Sequence, residues 1–347
     1  MLRAFRFAAF LLIAATAHAQ QPWTFVVSGD SRNCGDVVMP AIAAGAHHDQ
    51  AAFYWHLGDF RAIYDFDQDY KQLAAPPPSI SDYEKNAWDD FIQNQLAPFA
   101  ETPVYLAIGN HELITPKSRG DYLIQFADWL DAPELRQQRL KDNPKDHRLR
   151  TYYHWQRGGV DFITLDSASP DQFDSDQLNW FERVLADDAK DSSIASVVVG
   201  MHEALPDSIA RGHSMSDTPQ AEASGRRAYG DLVKLQQTSK KNVHILASHS
   251  HFFMDGIFNT AYWRANGGVL PGWIIGTAGA VRYPLPPNAN EAKAAKTNVY
   301  GYLLATVNAD RTIDFRFREL EEKDIPAEVV SRFSQDFVHQ CFIGNRS

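Results

Sequence analysis

"TPVYLAIGNHE" (residues 102–112) is an apolar run that stops at a glycine and then sets an amide, an imidazole and a carboxylate side by side. Apolar residues without polar alternation describe a short strand buried on both faces. Gly109 marks the turn out of it, and Asn110, His111 and Glu112 stand where the strand ends. Four more stretches share this design: TFVVSGD (24–30), AAFYWHLGD (51–59), ASVVVGMHE (195–203) and NVHILASHSH (242–251). Each ends in side chains able to hold a metal: Asp30, Asp59, His202, and His249 with His251. One Gly-Asp after a strand is ordinarily a turn, and one histidine is ordinarily a packed or surface residue. Five such strand ends in order are a constellation. In open α/β sheets ligands bind beyond the carboxyl ends of the strands, so these groups are expected in one crevice. Oxygen and imidazole donors without thiolates suit Zn, Mn or Fe rather than a structural, cysteine-bound zinc.

Helical patterns lie between several of these runs, which predicts an α/β sheet. The clearest is FDSDQLNWFERVLADDAK, where Asp174 and Gln177 fit a helix start and Leu178, Phe181 and Leu185 share a face. Two further segments read as hairpins, TYYHWQRGGVDFITLDS (151–167) turning at Gly158-Gly159 and YGYLLATVNADRTIDFRFREL (300–320) turning at Asn308-Ala309-Asp310. They predict a second, antiparallel sheet packed on the first. The connections 60–101, 113–150, 204–228 and 255–298 exceed simple turns and are expected to carry substrate contacts.

A chain of 347 residues, 44% hydrophobic, suffices for one large domain or two small ones. A net charge of −10 argues against binding a nucleic-acid duplex, which favours a basic face. MLRAFRFAAFLLIAATAHAQ has two early arginines, a short apolar stretch and Ala17-His18-Ala19, the order of a secretory signal. The expected division is a signal peptide over 1–19 and one domain over 20–347, exported to a periplasm or secreted and free of the membrane after cleavage. Only Cys34 and Cys341 remain; they form one disulfide or stand as two separate buried thiols.

The blocks GDSR (29–32), GD (58–59), GNHE (109–112), MHE (201–203) and SHSH (248–251) together resemble the calcineurin-like metallophosphoesterase superfamily, including its purple acid phosphatase branch. The resemblance covers most of residues 23–320, and GNHE is its most specific element. It implies an α/β fold with a four-layer α-β-β-α sandwich, two facing mixed β-sheets flanked by helices. It also implies a phosphoric-ester hydrolase, exported on the reading of residues 1–19, in which a metal-activated hydroxide attacks the phosphorus of a small phosphate ester, with two ions (Mn, Zn or Fe) as cofactors. Asp59 would bridge them, Asn110, His202 and His249 would complete one, and Asp30 and His251 would hold the other. Asn110 would also face substrate. His111 would protonate the leaving oxygen or stabilise charge on it, and Glu112 could orient His111 through its other ring nitrogen. The alternatives are a phosphodiesterase or nucleotidase rather than a phosphomonoesterase, and a non-catalytic phosphate-binding protein that keeps the fold.

The sequence departs from this pattern at Arg32, where the family usually supplies a histidine ligand. A guanidinium has five donors and no acceptor, so it cannot coordinate a cation. Either Arg32 grips a substrate phosphate oxygen, or the metal beside Asp30 binds weakly, or catalysis is lost; the first is the working expectation because the other site residues are present. The tyrosine ligand of the purple branch has no counterpart in GDFRAIY, where Phe60, Arg61 and Ala62 follow the acid and Tyr64 comes later. Ser248 replaces a family glycine. No serine-hydrolase elbow or phosphate-binding loop occurs. His47, His48, His56, His147, His154, His213 and His244 read as surface or packing residues, and Asp65, Asp67 and Asp69 as a solvated loop.

Overall fold

The computed structural model describes residues 21–346 apart from 75, 77 and 169–171, so the expected leader at 1–19 lies outside the described residues. Twelve strands are present among them: β1 (Trp23–Ser28), β2 (Tyr54–His56), β3 (Val104–Leu106), β4 (Tyr153–Arg157), β5 (Val160–Thr164), β6 (Ser196–Gly200), β7 (Asn242–Ala247), β8 (Phe253–Asp255), β9 (Gly272–Ile275), β10 (Ala294–Lys296), β11 (Tyr300–Val307) and β12 (Ile313–Leu320). They form two mixed sheets, ordered β12-β11-β1-β2-β3 and β10-β8-β9-β7-β6-β5-β4.

The expected α/β organisation holds, with two corrections. The five ligand-bearing strands do not share a sheet: β1, β2 and β3 lie parallel in one, β6 and β7 parallel in the other. Nor do the two hairpins make a separate sheet. β4–β5 continues the second sheet through β5, parallel to β6, and β11–β12 continues the first through β11, antiparallel to β1. Each hairpin satisfies the open edge of a parallel core, which otherwise leaves a row of unpaired backbone groups. The predicted turns are in place, with Gly158 and Gly159 both at positive φ.

The strand period of two explains the layers. Phe25 and Val27 of β1, Trp55 of β2, Val198 of β6 and Leu246 of β7 meet in the core between the sheets. Val26 points the other way, onto Val38, Ile42 and Ala46 of the helix Gly35–His48. Val197, Val199 and Ile245 face Phe181 and Leu185 of the helix Ser175–Lys190 and Leu232 of the helix Pro219–Ser239. This is the four-layer sandwich. Asp174 caps its helix as expected, but Gln177 uses its amide on the backbone of Asp166 rather than returning to the cap, which ties helix to strand exit.

Cys34 and Cys341 are disulfide-bonded, with Cα atoms 6.0 Å apart across 307 residues of sequence, which decides between the two alternatives. The bond fastens the C-terminal helix Gln335–Ile343 beside the loop that carries Arg32. No helix among the described residues is long and apolar enough to cross a membrane.

Candidate metal centre

All five strand ends converge where the two sheets meet. Asp30, Asp59 and His249 hold left-handed backbone conformations, with φ of 59°, 60° and 62°. Such conformations cost a non-glycine residue free energy and concentrate at functional sites, where surrounding structure enforces them. The enforcing contacts are visible. Asp30 N–H donates to Gly58 O (3.0 Å) and Ser31 N–H to Asp59 O (3.0 Å), lacing the exits of β1 and β2 together. Asp30 Oδ2 accepts from His249 N–H (2.8 Å) and from the Ser248 hydroxyl, which joins one sheet to the other. Ser248 therefore does structural work at the position of the family glycine. Gly29 must lack a side chain, because a Cβ there would run into Ser248 Oγ.

Two ligand groups result, and they share Asp59. In the first, His202 donates from Nδ1 to Leu57 O (2.9 Å), so its Nε2 carries a lone pair when the ring is neutral. That nitrogen lies 3.2 Å from Asp59 Oδ1, 2.9 Å from Asn110 Oδ1 and 3.0 Å from His249 Nδ1. Carboxylate, amide-oxygen and imidazole lone pairs crowded together repel unless a proton or a metal cation lies among them. This donor set fits a borderline metal such as Zn, Mn or Fe. The same crowding shows in the acid–base balance. Burial alone would lower His202, but the Asp59 carboxylate beside it outweighs this and brings it up to about 10. His249 is pushed down to about 3 by burial and by the charge of His202.

The second group is Asp30, Asp59 and His251. His251 donates from Nδ1 to Val281 O (2.5 Å), leaving an Nε2 lone pair 3.2 Å from Asp30 Oδ1. Burial would raise Asp30, yet the neighbouring His251 outweighs it and holds the carboxyl at about 2. Asp59 stays well below the usual carboxylate range, burial notwithstanding, because His111 and His202 stand beside it. Asp30 Oδ1 and Asp59 Oδ2 are buried and have no hydrogen-bond partner.

Arg32 lies inside this second group, only 7% exposed. Its Nη1 donates to His111 Nε2 (2.6 Å), its Nη2 to His251 Nε2 (3.0 Å), and its Nε is 3.8 Å from Asp59 Oδ2. The guanidinium thus faces the centre and is held between two imidazoles.

His111 and Glu112 divide differently from expectation. His111 donates from Nδ1 to Ala62 O (2.7 Å), so Ala62 orients the ring, not Glu112. Glu112 instead accepts the backbone N–H groups of Asp59 (2.9 Å), Phe60 (2.9 Å) and Gly109 (2.8 Å). It is a brace for both ligand loops with no contact to the reacting side of the centre. Burial and the Asp59 charge push it up to about 7 against those three donors.

Some site residues carried no sequence signal. Tyr283 stacks on His251 at 4.0 Å between ring centroids, and His213, read as a surface or packing residue, lies 5.3 Å from Tyr283 and 5.4 Å from His249. Tyr64, 63% exposed, stands 5.3 Å from the His111 ring. All three come from the long connections, as expected of residues that frame a site. Asp67 and Asp69 are not solvated: both are fully buried around Arg61, which also pairs with Asp36 and Asp90. Asp67 accepts Asn33 N–H (2.6 Å) and Asp69 accepts Asp36 N–H (2.8 Å), so this network props the Arg32 loop from behind. His56, another packing expectation, is buried and bonds Ser31 Oγ (3.0 Å) in that loop.

A two-sheet sandwich with carboxylate, amide and imidazole ligands at five strand exits defines a metal-binding phosphoesterase-type fold. The family model of calcineurin-like phosphoesterases matches residues 24–253, and the chain belongs to that family. Purple acid phosphatase from yellow lupin (Lupinus luteus) seeds superposes with a TM-score of 0.61 at 17% identity, over 87% of this chain and 52% of that one. This chain therefore spans about half the length of that phosphatase. A dimetal phosphatase from Danio rerio gives 0.53 at 13% identity, over 86% and 96% of the two chains. GAP50, described as the anchor in the inner membrane complex of Plasmodium, gives 0.51 at 12% identity, over 86% and 85%. No curated protein matches in sequence.

Proposed function

We propose that this protein is an exported, metal-dependent hydrolase of small phosphate esters. The observation that carries the reading is the convergence of Asp59 Oδ1, Asn110 Oδ1, His202 Nε2 and His249 Nδ1, a carboxylate, an amide oxygen and two imidazole nitrogens on one point. A cation bound there would polarise a phosphoryl oxygen and make water a stronger nucleophile at neutral pH. In hydrolysis water adds to phosphorus, the ester P–O bond breaks, and the departing oxygen takes up a proton.

The chain's own groups supply the rest. Arg32 and Asn110 would position phosphoryl oxygens, the guanidinium through the N–H groups that His111 and His251 do not use. His111 is held below the usual imidazole range, chiefly by burial. Neutral, its Nε2 accepts from Arg32; that nitrogen could carry a proton to the leaving oxygen only once the guanidinium has turned from it to the phosphate. Tyr64, His213 and Tyr283 frame the entrance and are the groups a leaving alcohol would meet. Export is supported by the leader-like residues 1–19 and by the Cys34–Cys341 disulfide, since such bonds persist in oxidising compartments.

The test is turnover of a panel of phosphate monoesters, diesters and nucleotides with added Mn, Zn or Fe, for the native chain and for Asp59→Asn. Metal-dependent release of phosphate that Asp59→Asn abolishes, together with its bound metal, is the expected result. A native protein that binds metal yet turns over none of the panel would favour a non-catalytic role on the same fold.

A further inference from the structure

We propose that Arg32 is itself the second cation of this centre, so that the chain binds one metal ion, at Asp59, Asn110, His202 and His249, where its family pattern implies two. The inference rests on the metal-dependent reading above and fixes how that site is filled. The two ligand groups differ in one respect. The first consists only of groups that can each turn a lone pair to a metal, with no arginine or lysine among them. The second already contains a permanent positive charge.

The ring geometry makes this specific. Both His111 and His251 give their Nδ1 hydrogens to backbone carbonyls, of Ala62 and Val281, so each neutral ring has only its Nε2 lone pair left. Arg32 takes both lone pairs, with Nη1 at 2.6 Å and Nη2 at 3.0 Å. An ion placed among Asp30, Asp59 and His251 would have to break the bond to His251 and then lie against the guanidinium. A guanidinium does not deprotonate to relieve that repulsion. One guanidinium and one divalent ion already outweigh the two carboxylates.

Arg32 is also fixed where it stands. Asn33 beside it is tied to Asp67, and Cys34 is in the disulfide, so the loop has anchors on its far side. The remaining guanidinium hydrogens can meet the face of a phosphoryl group opposite the metal, a fork suited to two oxygens at once.

The experiment is to count ions per chain by elemental analysis after loading with Mn or Zn and desalting, in parallel with phosphate-ester turnover. Native protein is expected to retain one ion, and Mn-loaded protein to show the electron-spin signal of an isolated ion rather than a coupled pair. His251→Ala is expected to keep that ion and His202→Ala to lose it. Arg32→His, which removes the charge and adds a ligand, is expected to gain a second ion. Two ions in native protein, or loss of the ion in His251→Ala, would overturn the inference. Two ions with turnover would leave the esterase reading intact, one ion without turnover would remove that reading alone, and no ion would remove both.

Discussion

His111 has one ring nitrogen on the Ala62 carbonyl and the other on Arg32, so it touches the centre without belonging to either ligand group. His111→Ala should lower turnover by about 10² or more while metal content stays near native, because a proton or charge role is lost and no ligand is. Turnover assays paired with metal analysis check this, and a variant that loses its metal would show His111 to be a ligand. Glu112 predicts the opposite pattern. Glu112→Ala leaves three buried N–H groups without an acceptor, each costing about 1–3 kcal/mol. The expected outcome is a large drop in denaturation midpoint, with activity lost through the collapse of the Asp59 and Asn110 loops. Glu112→Gln keeps one acceptor oxygen and should sit between the two.

At the scale of the element, the β4–β5 hairpin contains a buried charge cluster remote from the metal centre. His154 Nδ1 bonds Asp161 (2.8 Å) and its Nε2 bonds Asp142 (2.7 Å). Burial opposes its charge, but the two carboxylates prevail and raise it from 6.5 to about 10. Asp188, next to Asp161, is pushed up to about 9, first by burial and then by its neighbour's charge. A histidine whose pKa is raised by folding contributes stability that is complete below its unfolded pKa and is lost as pH climbs through the folded value. The raised acid Asp188 shifts stability in the same direction over this range. Stability should therefore decline between about pH 6.5 and pH 10, as urea denaturation at several pH values would show. His154→Ala should cost about 3–5 kcal/mol at neutral pH by stranding Asp161, and should flatten that decline. A decline of unchanged steepness in the variant would mean that another group sets it.

For the molecule as a whole, the Cys34–Cys341 bond closes nearly the entire described chain into one loop. Cross-linking across so long a loop removes much of the unfolded chain's freedom, and losing such a bond typically costs about 2–5 kcal/mol. Cys341→Ser should lower the unfolding free energy obtained from guanidinium denaturation by that amount relative to oxidised native protein. Reduction of the native protein should reproduce the shift. The bond also lies on the same loop as Arg32, so a change in metal affinity on reduction would show that the C-terminal helix helps to hold that arginine.

Much of this protein is legible in its sequence. Unalternating apolar runs ending in Asp, Asn and His mark the buried parallel strands and their ligands, because burial on both faces and metal coordination each demand particular residue types. The paired glycines at 158–159 and the Asp174 cap mark a hairpin and a helix start for equally local reasons. What the sequence could not settle is whatever depends on partners brought from far along the chain. The division of the five strands between two sheets turns on which edges the hairpins cover. The role of Glu112 turns on backbone donors 52 and 53 residues away. Tyr283 and His213 reach the site only through the folding of long connections, with no periodicity to announce them. Arg32 was visible as a misfit, but that its charge lies between His111 and His251, 79 and 219 residues distant, is a fact of tertiary structure alone. Local residue chemistry writes the ligands and the strands; long-range packing decides which lone pairs meet a metal and which meet a guanidinium.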